Sequence, residues 1–134
     1  MKKIVICMLF VILLFITSIG VLILIRSPFF KSAEKIEIQN GTTGEVFVIQ
    51  WDEKNEFLNA LQEIDISGSG VRIWTSGYEY MIRFIDGSST KEVYVKNSNL
   101  FTGCFLIYKS DTDIIKLIEN VMSKHTENWK SIRR

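Results

Sequence analysis

The chain has 134 residues, sixteen Lys and Arg against fifteen Asp and Glu, and 47% apolar residues. That length holds one domain and excludes a second core, since domains take roughly 100–200 residues. Two cysteines and one histidine exclude a cysteine- or histidine-rich zinc or iron–sulfur site.

From Ile4 to Ile25 no residue is charged, and only Cys7, Thr17, Ser18 and Gly20 interrupt the aliphatic and aromatic run. As a helix, a stretch of that length measures roughly 33 Å, matching a hydrocarbon core of about 30 Å. Lys2 and Lys3 precede it, and Arg26 and Pro28 follow. The run is longer than the core of a cleaved signal peptide, and Val21 to Ile25 continue it past the small residues Ser18 and Gly20. The reading is therefore an uncleaved single-span anchor over 1–26, followed by a linker over 27–34, a domain over 35–125 and a basic tail over 126–134. Lys2 and Lys3 favour a cytoplasmic N-terminus, which places the domain on the extracytoplasmic side of the cell membrane.

After Arg26 the chain carries thirteen basic and fifteen acidic side chains. That balance argues against nucleic acid, whose phosphates call for a basic surface. Cys7 lies in the apolar run and Cys104 in the domain, so no bridge staples the fold.

In the domain, Lys35 to Gln39 alternate polar and apolar, and Glu45 to Ile49 form a β-branched run. With Asn40-Gly41 and Gly44 between them, the two read as a hairpin. Asn40-Gly41-Thr42 also fits a glycosylation sequon, but the turn accounts for it. Asp52 is placed to cap a helix whose apolar face is Phe57, Ala60, Leu61 and Ile64, ending before Ser67-Gly68-Ser69-Gly70, read as a linker. Strand-like segments follow at Val71–Thr75, Tyr78–Ile85 and Glu92–Lys96, broken by Ser76-Gly77 and Asp86-Gly87. A further segment, Cys104–Lys109, comes after breaks at Asn97-Ser98-Asn99 and Thr102-Gly103. Ser110 to Asp113 then open a helix with an apolar stripe of Ile114, Leu117, Ile118, Val121 and Met122. In outline the order is β-β-α-β-β-β-α. The fold class expected is α+β, an N-terminal transmembrane helix followed by an antiparallel sheet with two helices on one face.

The stretch Tyr78 to Gly87, then Val93-Tyr94-Val95, then Tyr108-Lys109 leading into Asp113 to Glu119, resembles small membrane-anchored or lipoprotein-type envelope domains of unknown function from Gram-positive bacteria. The resemblance covers about the second half of the chain and implies an envelope-facing domain with no assigned activity. The chain departs from the lipoprotein members in lacking their lipid-acceptor cysteine.

No catalytic constellation emerges. Gly68-Ser69-Gly70 lacks the Lys-Ser/Thr ending of a phosphate loop, and no G-x-S-x-G elbow accompanies His125. The pairs Asp111/Asp113 and Glu53/Glu56 have a structural reason at helix starts. No catalytic residue, metal or cofactor is expected. If Val71, Ile73, Val93 and Val95 face the helices, alternation sends Arg72, Trp74, Glu92, Tyr94 and Lys96 to a face left open. Arg72, Trp74 and Tyr94 are the candidate binding residues, aromatic anchors among charges. The function expected is a membrane-tethered extracytoplasmic binding or protective module without catalytic activity, engaging a protein or envelope partner. The other reading is an accessory structural subunit of a membrane complex.

Overall fold

The computed structural model describes residues 2–25, 32–49, 51–72, 77–103 and 106–124. Helix α1 spans Lys2–Ile25. Its stretch Lys2–Gly20 is long and apolar enough to cross a membrane or to serve as a signal sequence. The hydroxyls inside it are satisfied locally. Thr17 Oγ1 donates to the Leu13 and Leu14 carbonyls at 3.0 and 2.9 Å, and Ser18 Oγ to that of Phe15 at 2.9 Å. Such back-bonding removes most of the cost of a hydroxyl in hydrocarbon.

The rest is α+β, as its pattern implies. Strands β1 (Lys35–Asn40), β2 (Val46–Val48), β3 (Ile66–Val71), β4 (Tyr80–Asp86), β5 (Ser89–Asn97), β6 (Leu100–Gly103) and β7 (Leu106–Ser110) form one antiparallel sheet in the order β2-β1-β4-β5-β6-β7-β3. Helices α2 (Trp51–Glu63) and α3 (Ile114–Ser123) both pack on one face. Ile36, Ile38, Ile82, Phe84, Val93 and Phe101 from the sheet meet Phe57 and Leu61 of α2 and Ile114 and Ile118 of α3, all at most 1% exposed. Each such side chain contributes about 1.5–3 kcal/mol by leaving water. Because β2 and β3 are opposite edges of the sheet, α2 carries the chain across its whole width.

Four local expectations are corrected. Helix α2 starts at Trp51, so Asp52 lies inside its first turn, where its charge meets the helix dipole, and is not the cap. Ser67 to Gly70 are not a linker but the body of β3, held by backbone pairing to β7 with a register shift between Gly68 and Gly70. Main-chain hydrogen bonds make a strand of residues with poor β-propensity. The strand expected from Val71 thus ends there, and residues 73–76 lie outside the described set. Thr102-Gly103 is not a break either, because both belong to β6, paired with Tyr94 and Val93 of β5. The segment begun at Cys104 is β7, starting at Leu106, with Cys104 itself outside the described residues.

Asp113 does cap α3, its carboxylate accepting from the Lys116 N–H at 3.1 Å. In the β1–β2 loop, Asn40 Oδ1 accepts from the Thr42 and Thr43 N–H groups, and Gly44 takes φ 72°. Gly41 is required for a different reason: a Cβ there would lie 2.0 Å from the Tyr78 carbonyl oxygen, and its own N–H donates to Glu79.

Candidate functional site

Register decides which side chains share the face opposite α2 and α3. Ile36 and Ile38 face the helices, so Lys35, Glu37 and Gln39 do not. Their partners across β4 and β5 join them: Arg83 and Glu92 beside Glu37, Met81 and Tyr94 beside Gln39, then Thr102 on β6.

A chain of polar contacts crosses this face. Lys35 Nζ lies 2.7 Å from Glu37 Oε1, and Arg83 Nη1 donates to Glu37 Oε2 at 2.9 Å. Arg83 Nε donates to Glu92 Oε1 at 3.1 Å, and the Tyr94 hydroxyl donates to Glu92 Oε2 at 2.7 Å. Burial pushes the Glu37 carboxyl up, but the bonds from Lys35 and Arg83 outweigh it and leave its pKa below the usual carboxylate value. For Glu92 the Tyr94 hydrogen bond is the main cause of a lowered pKa, with Arg83 adding to it against burial. The same bond, together with burial, holds the Tyr94 phenol above its ordinary value.

Tyr94 is also the centre of an aromatic and cationic cluster. The Arg72 guanidinium lies 4.6 Å from its ring centroid, and the Tyr78 ring packs edge-on at 5.2 Å with an interplanar angle of 68°. Arg72 follows β3, at the sheet edge, and Tyr78 precedes β4, near the middle. Both described ends of the β3–β4 connection therefore close on one ring of β5. Arg72 forms no ion pair with a described residue.

Of the three binding residues expected from the sequence, the structure brings Arg72 and Tyr94 together, while Trp74 lies outside the described residues. Val93 and Val95 face the helices fully buried. Val71 shares the helix side through its pairing with Leu106 yet is 65% exposed, because β3 is an edge strand. The open face is less bare than alternation alone implies: Met81 and Val46 are each only 5% exposed there. Sequence reasoning missed Glu37, Arg83 and Tyr78. Charged residues interrupting two strands at inward-outward alternation were visible, but their meeting depends on the cross-strand register. Among the described residues no three of His, Cys, Asp and Glu gather as a metal set. Compared with known proteins, the chain matches no family model, no curated protein and no solved structure.

Proposed function

We propose that this chain is a membrane-tethered, extracytoplasmic binding module without catalytic activity, and that it takes a protein or envelope partner on the sheet face centred on Tyr94. The observation carrying this reading is the Arg72–Tyr94 stack. A guanidinium with no carboxylate partner among the described residues is held over a ring whose hydroxyl is fixed by Glu92 and which Tyr78 meets in a T-shaped pair. Aromatic and Arg side chains held in place before binding lose little entropy on contact and dominate recognition surfaces. The apolar helix α1 supports the tether, and Lys2 and Lys3 at its start support the sidedness.

The test is affinity capture from solubilised membranes with the full chain as bait. Replacing Arg72 and Tyr94 together by alanine weakens capture of the wild-type partner by at least about tenfold, the loss typical of central anchors. Circular dichroism and the thermal midpoint report that the variant is folded. A folded variant that captures the same partner equally well rejects this face as the site.

A further inference from the structure

Strand β3 is an edge of the sheet, paired on one side only, and its residues Ser67 to Val71 are all exposed. Edge strands ordinarily carry Lys, Pro or inward charges that discourage pairing. This one carries none of those side chains, and its one protective device is the register shift between Gly68 and Gly70: it is Ile66, Ser67, Gly68, Ser69, Gly70 and Val71, with small side chains that let a second backbone approach. Its charges stand immediately outside, Asp65 before and Arg72 after. The Asp65 N–H donates to Asp111, while its carboxylate is exposed and bonds no described residue.

We infer that β3 is a self-association edge, and that its occupant is β3 of a second copy of this chain, antiparallel across a two-fold axis between Gly68 and Ser69. The argument is self-complementarity, the requirement of an isologous interface. In that register Asp65 of each copy opposes Arg72 of the other, so two opposite-charge pairs close the ends. Ile66 opposes Val71, and both lie on the helix side of the sheet by their pairing with β7. The pairing thus covers the 65% exposed Val71 with an apolar neighbour. Ser67 opposes Gly70, both on the other side. The register irregularity at Ser69, a device that discourages casual edge pairing, falls at the axis in both copies. Pairing draws the Arg72 guanidinium out of its stack on Tyr94, which lies three strands inward from the β3 edge, and turns it onto the incoming carboxylate. Six residues of edge make a small interface. Two chains held in the same membrane supply the effective concentration it needs.

The experiment uses the full chain with donor or acceptor fluorescent proteins fused to its C-terminus, reconstituted into phosphatidylcholine vesicles. Energy transfer is followed as lipid dilutes the protein. Wild type transfers energy well above random collision. Asp65→Arg and Arg72→Asp each bring like charges into contact and raise the apparent dissociation constant by about tenfold or more. The double swap restores the opposite-charge pairs and returns association to within about threefold of wild type, the criterion a charge-complementary contact must meet. Val71→Lys, at an exposed position, weakens association in the same direction and serves if either charge variant misfolds. The inference is overturned by transfer no greater than random in wild type, by transfer that survives the single reversals or Val71→Lys, or by a folded double swap that stays monomeric. Arg72 enters both surfaces, so Tyr94→Ala, which leaves the β3 edge untouched, separates them: it weakens partner capture and leaves self-association in place.

Discussion

The Glu37 carboxylate on β1 and the Arg83 guanidinium on β4 meet at 2.9 Å, with side chains only 10% and 17% exposed, on the sheet face that carries neither α2 nor α3. Arg83 also holds Glu92, so one guanidinium ties two acidic strands together. Its loss strands a mostly buried carboxylate with Lys35 alone. Arg83→Met is expected to destabilise the domain by about 2–4 kcal/mol, most of it the cost of the charges left behind. Chemical denaturation checks this. Changing Glu37 to Leu in the same variant recovers much of the loss, whereas an unrecovered loss would show that Arg83 acts through packing of its stem.

The same network gives the domain two pH limits. Glu37 and Glu92 lie below their ordinary values when folded. Their contribution is complete above an unfolded carboxylate value of about 4.3 and is lost as pH falls through the lowered folded values. Tyr94 lies above its ordinary value. Its contribution is complete below about 10 and is lost as pH rises through the raised folded value. Urea midpoints measured across pH should fall at both ends, and Tyr94→Phe should weaken the alkaline limb and, by removing the main cause of the lowered Glu92 value, part of the acid limb as well.

Gly41 separates close approach from turn chemistry. Gly41→Ala pushes a methyl into the Tyr78 carbonyl, and overpacking of this kind costs about 1–3 kcal/mol. Gly44→Ala meets no atom but must hold φ 72°, which costs about 1 kcal/mol. Thermal melts of the two variants distinguish these causes. Equal shifts would mean that the loop yields at Gly41.

Removal of the Asp113 cap should cost about 1 kcal/mol in an Asp113→Ala variant, because the Lys116 N–H then turns to water. Asp113→Asn should retain most of it. Equilibrium unfolding of the two variants side by side decides the point.

A chain starting at Ser32 keeps every strand and both domain helices, and no described residue of the sheet waits on α1 for its core. It should fold cooperatively and stay soluble without reductant. Aggregation of that chain at low concentration would show that the domain needs the anchor.

The α+β class was legible because periodicity is local. The stripe Ile114, Ile118 and the alternation Ile36, Ile38 each announce an element and its buried face. What escaped was set by partners distant in sequence. Ser67 to Gly70 have turn composition and become a strand only because β7 offers its edge. Thr102-Gly103 looks like a stop until the β5 register places it opposite Tyr94 and Val93. The site was legible to the same degree: alternation put Tyr94 and Arg72 on one face, but only the β3–β4 connection brings them into contact, and the Glu37–Arg83–Glu92 row requires three strands in register.

The passage of α2 from one sheet edge to the other fixes an order of assembly. Strands β4 to β7 form a run of short hairpins and can close as each is made. β3, although synthesised before them, has no neighbour until β7 exists, since Ile66 pairs with Ser110. Contacts of such sequence separation form late because loop closure opposes them. During synthesis α2 and β3 therefore wait, their apolar faces uncovered, beside an apolar N-terminal segment that has already emerged. The hairpin run is the template on which β3 docks through β7 and, at a still longer separation, β1 docks through β4.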